Sequence, residues 1–432
     1  MPASHRTAAG AETSPAQWTQ QTQIALDAAD GAANSVSWAA DAELLVGSGS
    51  LTLWATAASA AEADVRLLWR RALASPVALV LASADGALSA SVGAADRLVK
   101  VWWKAAVGGD AHQCAFAYLP HPRAVAWMQW RRPAHPAAAA ADNVLYTVTA
   151  DRVLRVWAPV FPHDAHLLQL WAVVDLAAAL PGARGALLVD SMAFHRAVEA
   201  AVASAGAGVR ARETLHRLVD VANRSPEVLV VLDAHGRLGA WGLDNVGCRS
   251  RKTTGLFSIV HAEHAGVDCG AGDVRFAAFA GGLGLVVLAH ADDGTISWLE
   301  ARLDSLLDPA GPQDAPRFEL KGVWTGHDTT VKSLVRTADG KCLLSSTEAN
   351  KHLLWTTVEV GGETTLNRKS ALQPHDKVER AVILDEGRGL HDGLHDSAHS
   401  GHRKLHNDAP PGPRSALGHL APEIGRDCTL PF

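Results

Sequence analysis

The sequence lacks several features that mark common classes of protein. Its five cysteines are far apart and none forms a Cys-x-x-Cys pair, which argues against a disulfide framework and a zinc site and fits a reducing compartment. No uninterrupted apolar run reaches the roughly 18 residues of a membrane span, and Met1–Gln20 has no apolar core of a signal peptide. We therefore expect a cytoplasmic protein that attaches to membranes only through a partner.

An excess of charge of one sign is also missing. Lysine and arginine number 39 against 45 aspartate and glutamate residues, which leaves a formal net charge of −6. That balance gives no reason to expect binding to nucleic acid or to anionic lipid. Tyrosine is scarce, with 2 residues, whereas there are 14 tryptophans. The positions of these tryptophans indicate the fold.

A short segment that ends in tryptophan recurs along the chain. Asp96-Arg-Leu-Val-Lys-Val-Trp102 is repeated as Asp151-Arg-Val-Leu-Arg-Val-Trp157, and four weaker copies occur elsewhere. Two apolar runs of strand length, separated by polar turns, precede the copies. Successive terminal tryptophans are 48, 55, 84, 57 and 57 residues apart. The terminal residues are Trp54, Trp102, Trp157, Trp241, Trp298 and Trp355, and the turn carboxylates are Asp96, Asp151 and Asp293.

This repeat predicts an all-β WD-repeat β-propeller with six recognisable blades and a partial seventh. A large flat side chain at one fixed strand position fills the space between blades, and the turn aspartate accepts backbone N–H bonds. A β-sandwich would show no regular spacing from aspartate to tryptophan. We expect the propeller at 18–385, between a disordered N-terminus at 1–17 and a disordered tail rich in His, Gly and Pro at 386–432. Because the seventh repeat breaks off, the sequence also allows an incomplete ring.

The long third separation predicts a helical insertion at about 190–224. Two segments, 193–203 and 209–223, carry apolar residues at helical spacing and are separated by Gly206-Ala-Gly208. We expect the insertion to lie between a strand near Leu168–Val173 and the strand Glu227–Leu232. Insertions of this kind map to one face of a ring, where they form docking surface.

No catalytic motif or phosphate-binding loop is recognisable, so we predict no catalytic residue, no cofactor and no metal site, and no enzyme activity. Histidines of the tail recur every three or four residues, but nearby glycines and prolines argue against the helix that a metal site would need. A propeller enzyme would require converging carboxylates or a metal in its central channel. Short basic clusters in probable loops suggest partner-facing residues, namely Arg123, Arg131, Arg132, Arg249 and Arg251.

Several long runs in the same order resemble one scaffold family. They are Tyr118-Leu-Pro-His-Pro-Arg-Ala-Val125, Trp130-Arg-Arg-Pro133, the segment 143–159, the segment 239–253 and Gly322-Val-Trp-Thr-Gly-His-Asp328. They look like the large scaffold subunit of the RAVE complex, the fungal relative of the DmX-like or rabconnectin proteins. The similarity covers roughly 18–385, and the chain is expected to be a truncated member.

The resemblance implies a non-catalytic function. It implies a scaffold that promotes assembly and reassembly of the vacuolar proton-translocating ATPase (V-ATPase), and thereby vacuolar acidification. The partners it implies are peripheral-sector subunits of the V-ATPase, a second RAVE subunit and a Skp-type adaptor, and through them a peripheral association with vacuolar or endosomal membranes. The alternative is a generic WD-repeat adaptor in ubiquitin-ligase or vesicle-traffic complexes.

Overall fold

A computed structural model describes a large part of the protein. The described residues are 24–40, 43–56, 65–105, 114–131, 143–180, 183–189, 191–204, 209–224, 227–233, 237–244, 246, 255–264, 275–281, 284–290, 294–302, 318–336, 342–360, 363–372, 380–381 and 420–421.

The described strands form six four-stranded antiparallel sheets, in which strands that follow one another in the chain are paired. We number these sheets as blades 1 to 6. Blade 1 contains β1 (Ser35–Ala40), β2 (Glu43–Gly47), β3 (Ser50–Ala55) and β4 (Arg66–Ala72). Blade 2 contains β5 (Val77–Ala82), β6 (Leu88–Gly93), β7 (Leu98–Lys104) and β8 (Cys114–Pro120). Blade 3 contains β9 (Val125–Trp130), β10 (Leu145–Thr149), β11 (Val153–Pro159) and β12 (Leu168–Asp175).

The remaining blades follow the same plan. Blade 4 contains β13 (Ala183–Val189), β14 (Glu227–Asp233), β15 (Arg237–Asp244) and β16 (Gly255–His264). Blade 5 contains β17 (Arg275–Gly281), β18 (Gly284–His290), β19 (Thr295–Arg302) and β20 (Glu319–Thr325). Blade 6 contains β21 (Val331–Arg336), β22 (Cys342–Thr347), β23 (His352–Val360) and β24 (Glu363–Leu372). A two-residue strand β25 (Arg380–Ala381) pairs with β26 (Leu420–Ala421). The predicted β-propeller with six blades is confirmed, and most of the partial seventh lies outside the described residues.

The hydrophobic core lies between the blades. The first strands of neighbouring blades lie close to one another: β1 contacts β5, and β13 contacts β17. Fourth strands lie at the outer edge, where most residues of β4 and β20 are exposed. Separate apolar clusters fill the spaces between blades 1 and 2, 2 and 3, 3 and 4, and 5 and 6. Each blade therefore buries its faces against its neighbours, which is the physical reason for the repeat.

The turns within a blade use the residues that their geometry requires. Gly86 has φ +67° between β5 and β6, a left-handed conformation that favours glycine. Its neighbour Asp85 accepts hydrogen bonds from the Ser83 hydroxyl at 2.5 Å and from the Ala87 amide at 3.0 Å. Burial alone would raise the pKa of Asp85, but these bonds and one from Asn143 together lower it. The ionised carboxylate therefore holds the turn.

The helical insertion lies inside blade 4. A short helix, α1 (Leu176–Ala179), follows β12, while α2 (Ser191–Ser204) and α3 (Val209–Asn223) connect β13 to β14. The two helices thus lie between the strand near Leu168–Val173 and the strand Glu227–Leu232, and β13, which the sequence does not predict, precedes them. Arg184 and Gly185 interrupt the apolar pattern of β13, and a short interrupted run gives little periodic signal.

Candidate interaction surfaces

The six repeat tryptophans occupy equivalent positions, each in the third strand of its blade. Trp102 of β7 shows how they pack: it is 3% exposed and contacts Trp69 of blade 1 edge-to-face, with ring centroids 5.2 Å apart. Trp54 is half-buried, and Trp102, Trp157, Trp241, Trp298 and Trp355 are buried. The five buried side chains lie in the apolar clusters that join one blade to the next.

In blade 3 the tryptophan belongs to a buried hydrogen-bonded chain. The Trp157 indole N–H donates to Thr147 Oγ1 at 2.9 Å, and Thr147 Oγ1 lies 2.8 Å from His121 Nε2. His121 Nδ1 lies 2.9 Å from the Leu119 carbonyl, which can only accept, so Nδ1 carries the proton and Nε2 accepts from the threonine. Burial lowers the pKa of His121 to about 4. The ring is therefore neutral at pH 7.

Blade 6 repeats this chain with different residues. The Trp355 indole donates to Ser345 Oγ at 2.8 Å, and Ser345 Oγ lies 2.6 Å from His327 Nε2. His327 is 7% exposed, and its Nδ1 is buried without a hydrogen-bond partner in the described part of the chain. Burial lowers the pKa of His327 to about 4 as well. Neutral histidines therefore link the third strand of both blades to the loop that precedes each blade.

The predicted turn aspartates act on their own turns. Asp96 Oδ1 accepts from the Arg97 and Leu98 amides at 2.9 and 3.3 Å. Asp151 accepts from the Thr149 hydroxyl at 2.5 Å, in a turn where Arg152 adopts φ +62°. Asp293 lies outside the described residues. Both described carboxylates thus order the turn before the third strand.

The five arginines predicted to face partners do not form one surface. Arg123 is exposed in the loop between blades 2 and 3. Arg131 is buried instead: its side chain is 11% exposed, and Nη2 lies 2.6 Å from Glu227 Oε1 of blade 4. The prediction for Arg131 was therefore wrong, because a carboxylate distant in sequence covers its guanidinium. The remaining three, Arg132, Arg249 and Arg251, lie outside the described residues.

The ion pair of Arg131 supports the base of the helical insertion. Glu227 begins β14 just after α3 and also accepts from the Tyr146 hydroxyl at 3.2 Å. Burial raises the pKa of Tyr146, and the Glu227 carboxylate raises it further. Close by, Arg224 at the end of α3 donates to Asp244 of β15 at 2.8 Å. These contacts thus join blade 3 to blade 4 and hold the end of the insertion on blade 4.

The insertion itself combines a buried and an exposed face. Phe194 and Val198 of α2 and Leu218 of α3 are buried, whereas Val202 is 48% exposed at the end of α2. In a four-stranded antiparallel blade, the loop from the first to the second strand and the loop from the third to the fourth strand lie at the same end of the sheet. The helical insertion connects the first and second strands of blade 4, so we call this end of the propeller the insertion side.

An aromatic patch lies on the insertion side between blades 2 and 3. The Trp103 ring at the end of β7 stacks on His166, with centroids 4.3 Å apart. Phe161 stacks on His163 at 5.5 Å, and both Phe161 and Leu167 are exposed, at 53% and 44%. We call Trp103, Phe161, His163, His166 and Leu167 the aromatic patch. Exposed apolar groups gathered in this way are typical of protein interaction sites.

Sequence reasoning missed this patch because its residues come from two repeats. The sequence does contain one local signal, the run Phe161-Pro-His-Asp-Ala-His-Leu167 directly after a repeat tryptophan strand. An aromatic-rich loop in this position is a stronger pointer than the basic clusters.

The described residues contain neither a cluster of metal ligands nor a membrane-spanning helix. They contain no group of three His, Cys, Asp or Glu side chains that could hold a metal ion. No helix in the described ranges is long and apolar enough to cross a membrane.

No family model matches this chain, but several curated proteins are similar to it in sequence. "Regulator of V-ATPase in vacuolar membrane protein 1" of Saccharomyces cerevisiae is 23% identical over 383 residues, covering 86% of this chain. The protein of that name in Schizosaccharomyces pombe is 27% identical over 45% of the chain. Mouse DmX-like protein 1 is 32% identical over 35% of it. The chain spans 26%, 15% and 6% of the lengths of these three relatives.

Two solved structures are also similar. The Saccharomyces cerevisiae protein Sqt1 has a TM-score of 0.47 and 9% identity, covering 82% of this chain and 78% of its own. A protein from Lactobacillus plantarum has a TM-score of 0.47 and 12% identity, covering 79% and 85%. In sequence, the chain is homologous over most of its length to the Regulator of V-ATPase in vacuolar membrane protein 1, and over about a third to DmX-like protein 1.

Proposed function

We propose that the protein is a non-catalytic scaffold that promotes assembly and reassembly of the V-ATPase, and so vacuolar acidification. The observation that carries this proposal is the similarity over 86% of the chain to a relative named as a regulator of the V-ATPase in the vacuolar membrane. The curated relatives are named as regulators and not as enzymes. A propeller whose blades are joined by buried tryptophans is a rigid body, which suits a scaffold.

Peripheral-sector subunits of the V-ATPase are the partners we propose first, with a second RAVE subunit and a Skp-type adaptor beside them. The insertion side is the surface that we propose for these partners, because it gathers the aromatic patch and the exposed end of α2. Aromatic side chains are enriched at the centres of protein interfaces, where they bury much area at low entropic cost. The protein would reach vacuolar or endosomal membranes through these partners.

The test is co-purification from yeast that lacks its own regulator of this family. The full chain, carrying an affinity tag, is expected to retain peripheral-sector subunits. The variant Phe161→Ser/Leu167→Ser should lose them, because a serine cannot supply the apolar contact. The control Leu320→Ser/Val323→Ser changes two equally exposed apolar residues of β20 and should retain them.

Three results would count against the proposal. They are the absence of peripheral-sector subunits with the unchanged chain, an equal loss with the control variant, and recovery of ubiquitin-ligase or vesicle-coat components in their place. The last result would favour the adaptor alternative.

A further inference from the structure

A groove runs along the outer rim between blades 1 and 2. Its walls are the two fourth strands, β4 of blade 1 and β8 of blade 2. In the register of β3 and β4, Arg71 lies opposite Leu51 and Trp69 opposite Leu53. Leu51 and Leu53 belong to the cluster between blades 1 and 2. Because opposite residues of a sheet share a face, Trp69 and Arg71 point towards blade 2, as does Arg66 opposite Ala55.

The facing wall is aromatic. In the register of β7 and β8, Trp102 lies opposite Phe116 and Lys100 opposite Tyr118. The Trp69, Trp102, Phe116 and Tyr118 rings form a continuous series, with successive centroid separations of 5.2, 4.7 and 5.2 Å. Tyr118 is 52% exposed at the end of this series. We call Arg66, Trp69, Arg71, Trp102, Phe116 and Tyr118 the rim groove.

The rim groove is positive at both ends and apolar in the middle. Arg66 and Arg71 are exposed, and neither makes an ion pair within the described ranges. The other cations of the groove already have carboxylate partners: Lys104 bonds Glu43 at 3.0 Å, and Lys100 lies 3.8 Å from Asp96. The two unpaired guanidinium groups therefore set the net charge that a ligand meets.

A pocket extends the apolar middle inward. Leu45, Leu53, Trp69 and Trp102 line it, with the Lys104–Glu43 ion pair at its edge. Its volume of about 30 Å³ suits a methyl-sized group, so a larger ligand side chain would lie across its mouth, against the rings of the two strands. The span from Arg66 to Arg71 corresponds to about 17 Å, which matches roughly five residues of extended peptide.

We propose that the rim groove binds an extended acidic peptide segment of a partner protein, with an apolar or aromatic anchor residue flanked on both sides by carboxylates. The anchor packs on the accessible Trp69 and Tyr118 rings, and the flanking carboxylates pair with Arg66 and Arg71. Charge at both ends fixes the position of the anchor, which aromatic stacking alone would leave free to slide. This ligand class does not depend on the role proposed above in V-ATPase assembly.

The experiment is selection from an unbiased displayed library of nine-residue peptides on the purified full chain. Enriched peptides are expected to carry a large apolar residue with aspartate or glutamate on both sides. Their affinity, measured by fluorescence anisotropy, should fall about tenfold in Arg66→Gln/Arg71→Gln, since each exposed ion pair contributes modestly. Tyr118→Ala should weaken binding to a similar extent, because it removes the exposed end of the aromatic series.

The control Arg368→Gln removes an exposed cation from the outer strand β24 and should leave the affinity unchanged. Failure to enrich any peptide, enrichment of neutral or basic sequences, or equal weakening by Arg368→Gln would overturn the proposal. So would a glutamine double variant that binds normally but aggregates, because Arg66 and Arg71 would then serve only to protect an exposed strand edge. Each of these outcomes leaves the co-purification test of the V-ATPase role unaffected.

Discussion

Replacing Thr147 by valine tests whether buried hydrogen bonds hold blade 3 together. The hydroxyl accepts from the Trp157 indole and donates to His121 Nε2, and all three side chains are buried. Valine has nearly the same volume but leaves both partners unpaired. An unsatisfied buried polar group costs about 1–3 kcal/mol. The two groups together should therefore lower the free energy of unfolding by about 2–6 kcal/mol.

The assay is urea denaturation followed by tryptophan fluorescence, with two control variants. Thr147→Ser keeps the hydroxyl, as Ser345 does in blade 6, and should cost only about 1 kcal/mol for the lost methyl group. Thr325→Val removes an exposed hydroxyl from β20 and should have no effect. A valine variant with the same midpoint as Thr147→Ser would refute the reasoning, because the hydroxyl would then contribute nothing.

Three further results are expected. Stability should fall as the pH drops from about 6.5 to about 4, because His121 and His327 bind protons in the unfolded chain before they do so in the folded one. The loss should be about 1–3 kcal/mol for each ring, measured as a thermal midpoint at pH 7.5 and pH 5; a flat profile would contradict burial of neutral rings. Arg131→Met should lower the free energy of unfolding by about 3–5 kcal/mol, since it leaves Glu227 buried without its cation, and Arg131→Met/Glu227→Leu should recover much of that loss in the same denaturation assay. Phe194→Ala should cost about 3–5 kcal/mol in the helical insertion, seen as faster hydrogen exchange in α2 and α3 than in blade 1; uniform exchange in both would contradict a separately stabilised insertion.

The sequence predicts those features that depend on one repeat at a time. The spacing from Asp96 to Trp102 and from Asp151 to Trp157 identifies the turn and the third strand, because both form within a dozen residues. The helices of the insertion are predicted for the same reason, from apolar residues at helical spacing. The structure contains the turns, third strands and helices that these local patterns predict.

Contacts between residues of two different blades cannot be predicted from the pattern within one repeat. Nothing near Arg131 in sequence shows that Glu227 covers it, so a basic cluster was interpreted as surface. The Trp103–His166 stack and the series from Trp69 to Tyr118 likewise join residues from neighbouring blades. The packing of one repeat against the next determines these contacts, and the periodicity within a single repeat carries no information about that packing.

The insertion within blade 4 also bears on the order in which the protein folds. Val189 of β13 pairs with Val228 of β14, although residues 190–227 separate them, whereas only residues 234–236 separate β14 from β15 in the sequence. Closing the longer loop costs about 2 kcal/mol more in chain entropy than closing a tight hairpin. We therefore expect β14 to pair with β15 before it pairs with β13, once α2 and α3 have formed. By the same reasoning, we expect blade 4 to form later than blades whose successive strands lie closer together in the sequence.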